Sequence, residues 1–471
     1  MCSRPVSLHL DALDAAQVAA VAAATPGVSD WLLSTAHEQE AQLYLIGERV
    51  EARRVVSGGR TRLTIYNDHP VSSGEGNGGS TGGMARGATT ITLLDADAAD
   101  PAALAARLRD AVAAAALTDN PPYPVPGMPT DGYPAVVAFD AALGGDLAVV
   151  VDALAKRLQA AVAAEAGVRL SSAELYATRA AHTLRTSRGA DAAGQDTQMM
   201  LDLVLIAGEG EREAEMHGEF TRRRLADLDI ETIVRLYAAY ARHTLRASTP
   251  ATFRGPVVLS GKAVADMFNH PLGTLAQDPY TAHSSGQAAY QGISRFTPGG
   301  YACGEEPRGD RLTLVSDPLR SFGGLTAAFG ADGLPLRRLS IIENGVFVAP
   351  WTDARYAAYL GTTPTGAFAN PTVTSGDTPL RALRDGSAAT VYEVAEFSFL
   401  DPDPISGDFV AEIKLGYRHD ASGAHPIKGG SVAGNVFAAF ADARFSSETY
   451  TDGTYLGPAG IRFGELTISG V

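Results

Sequence analysis

The chain has 471 residues, 45% of them hydrophobic, which is typical of a globular protein with two or three domains. Its 38 basic and 53 acidic residues give a formal net charge of −15, which repels phosphate groups and argues against nucleic acid and anionic membranes as partners. Two cysteines, Cys2 and Cys303, cannot build a disulfide framework, and no apolar run approaches the about 18 residues of a membrane span, so a cytoplasmic protein is predicted.

The first predicted elements are strands in residues 41–46, 50–56 and 61–66, where apolar and polar side chains alternate. Gly58 and Gly59 separate the second strand from the third. Because a glycine pair is typical of tight hairpin turns, we predict an antiparallel hairpin that turns at these two residues.

Residues 72–87 form a glycine-rich segment in which Gly74, Gly76 and Gly79 match the spacing G-x-G-x-x-G. A dinucleotide site needs a helix N-terminus directly after these glycines to hold the pyrophosphate. Here more glycines follow, and then residues 88–93, whose composition predicts a strand. We therefore predict a mobile surface loop and no cofactor.

A helix is predicted to begin at Asp100 and Pro101, because the carboxylate can cap it and proline suits its first turn. Leu104, Leu108 and Val112 then recur at helical spacing on one face. Further helices are predicted over residues 146–166 and 229–245, with strands over residues 173–178 and 199–206 between them.

The segment of residues 246–250, Arg-Ala-Ser-Thr-Pro, ends the last of these helices and is the predicted domain boundary. After it the sequence is composed almost entirely of strand and turn patterns. We therefore predict an α+β protein: residues 1–248 form an N-terminal domain with an antiparallel sheet and long helices, and residues 249–471 form a β-rich C-terminal domain.

The ten histidines could include a metal site, so their spacing is informative. A zinc hydrolase helix needs two histidines one turn apart, with a glutamate beside the first as the base. His37 and His217 have glutamates nearby but no second histidine at this spacing, and His270 has neither. His419 and His425 lie six residues apart in loop-like sequence. We predict no catalytic residue and no metal ligand.

The last third of the chain carries short motifs in a fixed order. Their residues are Asp317, Pro318, Gly323, Gly324, Asp332, Gly333, Glu343, Asn344, Gly345, Gly407, Asp408, Gly416, Gly434 and Asn435. Together these motifs resemble the TldD/PmbA family, also called the TldD/TldE or modulator of DNA gyrase family. The first half of the chain matches more loosely. Since most of these residue types are typical of turns, we interpret them as structural or interface positions.

The resemblance implies a barrel-like C-terminal domain and a dimer of a zinc metallopeptidase subunit with a metal-free subunit. The peptidase type carries a His-Glu…His motif after a strand similar to residues 257–259, and a cysteine ligand near its C-terminus. Here residues 265–273 read ADMFNHPLG, so at most His270 remains as a degenerate zinc-motif position, and residues 450–457 contain no cysteine. The chain is therefore more similar to the metal-free, TldE/PmbA-like type.

Three hypotheses for the function follow. The first is a non-catalytic subunit that pairs with a TldD-like metallopeptidase, or with itself, in the proteolysis of unfolded peptides. The second is a standalone hydrolase with a site around His270, His283 and Asp278. The third is a protein that binds peptides without catalysis, by strand addition to a sheet edge.

Overall fold

The computed structural model describes residues 15–71, 83–94, 97, 100–210, 212–268 and 279–470. None of the helices in these residues combines the length and the apolar composition that a bilayer crossing requires. The described strands form an N-terminal antiparallel sheet, a C-terminal barrel and a second C-terminal sheet.

The N-terminal sheet contains six strands in the order β3-β2-β1-β4-β5-β6, and every neighbouring pair is antiparallel. The strands are β1 Asp30–Ile46, β2 Arg49–Pro70, β3 Met84–Leu93, β4 Val168–Thr186, β5 Asp191–Glu209 and β6 Arg212–Arg222. The strands predicted over residues 88–93, 173–178 and 199–206 are therefore confirmed, and each is longer than predicted.

The predicted turn at Gly58 and Gly59 is wrong. Both glycines lie inside β2, where they pair with Glu38 and His37 of β1. The chain turns earlier, at Gly47, whose φ of +57° is in the left-handed region that glycine adopts readily. Because β1 is 17 residues long, its backbone groups continue the ladder through both glycines, and this non-local pairing outweighs their local turn preference.

Most of the predicted glycine-rich loop, residues 72–82, lies outside the described residues. Gly83 precedes β3, and residues 84–87 belong to it, so this strand begins at Met84 rather than after Gly87. A Cβ atom on Gly87 would lie 1.7 Å from the backbone oxygen of Ala115, so glycine permits β3 to approach the helix end closely.

Four helices of the described residues belong to the N-terminal part. They are α1 Ala15–Ala24, α2 Pro101–Ala115, α3 Leu147–Ala163 and α4 Ile230–Arg246. The three predicted helices are confirmed, and the side chains of Asp100, Asp146 and Asp229 accept backbone N–H groups at their first turns. Helices α3 and α4 pack against β1, β4, β5 and β6, where their apolar stripes form one continuous core.

The C-terminal strands are β7 Phe253–Ser260, β8 Leu314–Ser316, β9 Leu339–Glu343, β10 Val346–Phe347, β11 Pro371–Val373, β12 Val391–Pro402, β13 Asp408–Asp420, β14 Gly423–Ile427, β15 Ser431–Asn435, β16 Ala443–Phe445, β17 Thr449–Asp452, β18 Tyr455–Pro458 and β19 Gly460–Ser469. Strands β12, β7, β19, β15 and β13 pair in this order, and a further β12–β13 pairing closes them into a barrel. Strands β10, β9, β8, β11, β18 and β17 form the second sheet. The predicted α+β class with a barrel-like C-terminal region is confirmed.

Short helices connect these strands. They are α5 Lys262–Phe268, α6 Pro279–His283, α7 Gly286–Gln291, α8 Ala354–Leu360, α9 Leu380–Leu383 and α10 Val436–Phe440. The core beneath them is rich in aromatic rings: Tyr280 contacts Phe296, Phe437 and Phe440 at centroid distances of 5.2 to 5.7 Å. Such tilted and edge-on ring pairs are favourable packing arrangements.

Helix α4 joins the two halves of the chain. Its core on the N-terminal sheet continues to Leu415 of β13, which is fully buried. We keep the predicted division at residues 248 and 249 as a proposal, because the N-terminal sheet ends at Arg222 and the first barrel strand begins at Phe253.

Candidate functional site

Helix α5 directly follows β7 and carries the segment that resembles the degenerate zinc motif. The β7 residues Val257, Val258 and Leu259 are fully buried and fix the point where the helix begins. Within α5, the methyl group of Ala265 is fully buried. His270 and Asp278, which the hydrolase hypothesis requires, lie outside the described residues.

The next residue of α5, Asp266, forms an ion pair within the helix. The Lys262 ammonium lies 2.7 Å from Asp266 Oδ1, with both side chains largely buried at 24% and 18% exposure. Burial raises the pKa of Asp266, and the neighbouring ammonium opposes this change. Burial acts to lower the pKa of Lys262, but the carboxylates of Asp266 and Asp452 outweigh it and raise that pKa. Lys262 therefore stays cationic, and its ammonium occupies the position beside the Asp266 carboxylate that a metal ion would need.

Glu396 of β12 lies close to this ion pair and is 5% exposed. The Tyr237 hydroxyl of α4 donates a hydrogen bond of 2.7 Å to Glu396 Oε1. Burial raises the pKa of Glu396 to about 7, although the Tyr237 hydroxyl and Lys262 favour the charged form. The register of β12 against β13 shifts on both sides of Glu396, as at a β-bulge, and such irregularities redirect side chains.

An ion pair between Asp452 of β17 and Arg222 of β6 completes this group. Arg222 Nη1 lies 2.7 Å from Asp452 Oδ1, at side-chain exposures of 17% and 7%. We call the six residues Lys262, Asp266, Glu396, Asp452, Arg222 and Tyr237 the junction cluster, because they connect the N-terminal sheet and α4 to the barrel. Its three carboxyl groups face two cations, so a protonated Glu396 leaves the charges balanced.

The junction cluster is poorly suited to zinc. Zinc prefers histidine and cysteine ligands, but the cluster offers carboxylates already paired with an ammonium and a guanidinium. Across the described ranges, no group of three or more His, Cys, Asp or Glu side chains is arranged to hold a metal ion. What the cluster can do chemically is hold one proton, on Glu396, near neutral pH.

A second buried carboxylate, Glu393 of β12, has different partners. Ser260 donates to Glu393 Oε1, Arg384 lies 2.6 Å from the same oxygen, and His419 Nε2 lies 2.8 Å from Oε2. Burial alone raises the pKa of Glu393, but these partners, with His419 the strongest, lower it below the ordinary value. The serine hydroxyl bonds to the carboxylate rather than to the imidazole, so these residues lack the nucleophile–base contact of a serine hydrolase.

His283, the third residue of the hydrolase hypothesis, is buried among aromatic rings. Its Nδ1 accepts the backbone N–H of Arg295 at 2.9 Å, and its Nε2 lies 2.8 Å from the backbone oxygen of Ile405. Burial lowers the pKa of this imidazole. Both ring nitrogens are therefore occupied by the backbone, and this histidine stabilises the fold around Phe296 and Phe437.

The family-motif residues Asn344 and Gly345 form a two-residue hairpin turn between β9 and β10. Glu343 pairs with Val346 across the turn, and φ is +50° at Asn344 and +82° at Gly345. Positive φ at both central positions is the geometry of the hairpin turn that Asn-Gly prefers. Glu343 itself is exposed at the end of β9.

Asp317, Pro318, Gly323 and Gly324 belong to a loop that follows β8. A Cβ atom on Gly323 would lie 2.7 Å from the Asn370 amide, so this loop contacts Asn370 more closely than a side chain would permit. The Asp317 carboxylate accepts the backbone N–H of Leu319 at 3.2 Å, and the Pro318 oxygen accepts that of Ala327 at 3.1 Å.

Asp332 and Gly333 form a turn that contacts the N-terminal half. Asp332 accepts backbone N–H groups from Leu334 and Ala354. The backbone oxygen of Gly333 accepts the Tyr133 hydroxyl at 2.9 Å.

The remaining motif residues lie in and around the barrel. Asn435 caps α10 through Ala438 and donates to the Asp408 carboxylate at 2.8 Å. Cβ atoms on Gly407, Gly416 and Gly434 would each lie between 2.3 and 2.5 Å from another atom. The motif residues thus set turns and close backbone contacts rather than converging on one reactive centre.

The residues of the junction cluster were not predicted from the sequence. The spacing of Lys262 and Asp266, four apart in a helix, is a visible signal for their ion pair. Glu396 and Tyr237 are separated by 159 residues, and only the tertiary structure brings them together.

The β-rich C-terminal part of this fold corresponds to a known family of metallopeptidase domains. Residues 252–470 match the family model described as the PmbA/TldA metallopeptidase C-terminal domain. These residues therefore belong to the TldD/PmbA family, and the predicted resemblance is confirmed.

Two curated relatives support the assignment at low identity. The chain is 24% identical over 293 residues to an uncharacterized protein of Methanocaldococcus jannaschii, with 60% of this chain and 66% of the relative covered. It is 24% identical over 257 residues to a zinc metalloprotease TldD homolog of Saccharolobus solfataricus, with 50% of this chain and 54% of the relative covered. The chain thus spans less than two thirds of either relative.

Solved structures match the fold over nearly the whole chain. TldE from Thermococcus kodakarensis has a TM-score of 0.75 at 16% identity, with 94% of this chain and 97% of that chain covered. A protein described as a modulator of DNA gyrase from Bacteroides thetaiotaomicron has a TM-score of 0.77 at 16% identity, with 97% and 98% covered.

Proposed function

We propose that this chain is a TldE/PmbA-like, non-catalytic subunit that pairs with a TldD-like zinc metallopeptidase and helps to enclose its cavity for unfolded peptides. The observation that carries the proposal is the set of side chains on α5. Ala265 supplies no ligand atom, and Asp266 is held 2.7 Å from the Lys262 ammonium. A zinc ion would have to displace that cation, because like charges repel strongly in a largely buried site.

The family supports the same proposal. One relative is named a zinc metalloprotease TldD homolog, and a solved structure with the same fold is a TldE. Without zinc chemistry of its own, the chain would act in proteolysis through a partner that supplies it. The cytoplasm is the proposed location, consistent with a chain that has only two cysteines.

We propose the tip of the β12–β13 hairpin as the contact surface for the partner. Phe399 is 57% exposed, Ile405 49% and Val410 44%. Asp401 pairs with Val410, and Glu412 pairs with Phe399, so the two apolar residues are diagonal neighbours on one face. Exposed apolar groups this close together are typical of protein interfaces. We call Phe399, Ile405 and Val410 the hairpin patch.

Light scattering after size-exclusion chromatography tests the proposal. The single chain, a TldD-like subunit and their mixture are measured, and the mixture is assayed for cleavage of an unfolded peptide. We expect a stable complex in the mixture, in preference to the homodimer, and cleavage that depends on the partner's zinc. His270→Ala should leave the cleavage unchanged.

Phe399→Glu places a charge in the hairpin patch and should weaken the complex by at least about tenfold, as loss of an interface anchor does. Val149→Glu is the matched control, because Val149 is 64% exposed on α3, far from the patch in sequence. If both the single chain and the mixture are monomeric, the subunit proposal is wrong and peptide binding without catalysis is favoured.

A further inference from the structure

A cleft of about 410 Å³ lies where the N-terminal sheet meets the second C-terminal sheet. Its walls are the end of β6, the loop of residues 320–324, and the turn between β17 and β18. This volume is within the range of sites for small molecules. The cleft adjoins the junction cluster through Arg222, which faces both.

Three arginines line the cleft, and two of them form no ion pair with a carboxylate of the described residues. Arg222 is neutralised by Asp452. Arg223 donates to the backbone oxygen of Thr326, and Arg320 donates to the backbone oxygen of Thr454 at 2.6 Å. In the part of the chain that the structure describes, no carboxylate forms an ion pair with either Arg223 or Arg320.

Among the described residues that line the cleft, one side chain is acidic, and it is already paired. Asp227 accepts hydrogen bonds from Arg224, with Nε at 3.1 Å from both carboxylate oxygens. Asp227 therefore leaves the positive charge of Arg223 and Arg320 in place.

Burial makes this positive charge costly. Desolvation lowers the pKa of Arg223 and of Arg320, but both guanidinium groups remain positively charged at neutral pH. The Nε atom of Arg223 is buried and has no hydrogen-bond partner in the described structure. The carboxylates of Asp196 and Asp317 oppose this desolvation at Arg223 and Arg320, but neither forms an ion pair with these guanidinium groups in the described residues. A buried donor without an acceptor destabilises a fold, so an anion bound directly to these groups would be stabilising.

The backbone of the cleft is also strained. Phe322 has a φ of +57°, which is unusual for a bulky residue, and its N–H donates to the backbone oxygen of Val137 at 2.8 Å. The guanidinium of Arg224 lies 5.2 Å from the centre of the Phe322 ring. Strained backbone of this kind is most frequent at active sites and ligand-binding sites, where the surrounding structure holds the residue in place.

We propose that this cleft binds a small molecule through its oxyanion, a carboxylate or a phosphate, held by the guanidinium groups of Arg223 and Arg320. Planar guanidinium groups match the two oxygens of such anions in bidentate geometry. In a chain with a net charge of −15, this local pair of guanidinium groups would attract an anion that the overall charge repels. The inference does not depend on the proposed partner subunit.

Titration calorimetry on the full chain tests this site with three probes. They are N-acetyl-dialanine with a free carboxylate, the same peptide as its amide, and inorganic phosphate. We expect the free carboxylate or phosphate to bind, with affinity that falls as salt is added, and the amide not to bind. Which of the two anions binds more tightly identifies the oxyanion, and binding by neither overturns the proposal.

Arg320→Lys keeps the charge but removes the planar fork, and should weaken binding at least ~10-fold. Ser321 is exposed and lines the cleft, so Ser321→Trp adds an indole ring there without changing an arginine and should abolish binding. Arg337→Lys is the control, because Arg337 is exposed and lies outside the cleft. Circular dichroism verifies that each variant is folded. Equal binding by folded Arg320→Lys, Ser321→Trp and Arg337→Lys would overturn the assignment of the site.

Discussion

Replacing Glu396 with glutamine tests the electrostatics of the junction cluster. Burial holds the pKa of Glu396 at about 7 in the folded chain, against an ordinary value of 4.5. Between these pH values the folded chain keeps a proton that the unfolded chain has lost, so the free energy of unfolding decreases as the pH rises through this window. Since a tenfold difference in proton affinity corresponds to ~1.4 kcal/mol, ionisation of Glu396 destabilises the fold by roughly 3 kcal/mol at about pH 8.

Glutamine still accepts the hydrogen bond of the Tyr237 hydroxyl but cannot ionise. The stability of Glu396→Gln relative to the natural chain should therefore increase by ~2 kcal/mol between about pH 5 and about pH 8. The assay is urea-induced unfolding followed by circular dichroism at both pH values. Glu412→Gln, at an exposed carboxylate of β13, is the matched control and should show no such change.

If Glu396→Gln and the natural chain differ by the same free energy at both pH values, the carboxyl group does not carry a raised pKa. The junction cluster would then hold three charged carboxylates at neutral pH, rather than two and a protonated one.

Two further variants test packing and ion pairing elsewhere. In Gly416→Ala the new Cβ would lie 2.3 Å from the Glu393 backbone oxygen, so we expect the free energy of unfolding in urea to fall by ~2 kcal/mol. The control is Gly145→Ala, whose Cβ meets no atom within 4 Å and should change that free energy by less than ~0.5 kcal/mol. Asp30 is 2% exposed and bonded to Arg86, so Asp30→Asn should cost ~3 kcal/mol at neutral pH. Burial acts to raise the pKa of Asp30, but its hydrogen-bonded partners lower it overall. The stability that the charged Asp30 contributes is therefore lost in acid, so the cost of Asp30→Asn should shrink as the pH falls below 3.8. An unchanged cost in acid would contradict the ion pair as its source.

Local signals were sufficient to predict the long helices. Asp146 and Asp229 cap their helices as expected, and the predicted stripe of Val151, Leu154 and Leu158 is buried. A capping carboxylate and an apolar stripe act within a few residues of sequence, so their consequences can be predicted without knowledge of the fold.

Non-local pairing could not be predicted in the same way. The turn assigned to Gly58 and Gly59 was wrong because the length of β1 fixes where its hairpin ends. The junction cluster combines five separate elements, and a register irregularity in β12 directs Glu396 toward it. Neither the irregularity nor the 159-residue separation from Tyr237 has a local sequence signal.

The zinc content of the purified full chain decides whether this chain is a metal-free subunit. The chain is incubated with excess zinc, desalted and measured by elemental analysis beside a TldD-like subunit as the positive control. Because Ala265 offers no ligand and Lys262 is paired with Asp266, we predict far less than about one zinc per chain. About one tightly held zinc per chain, comparable to the TldD-like control, would contradict the proposal of a metal-free subunit.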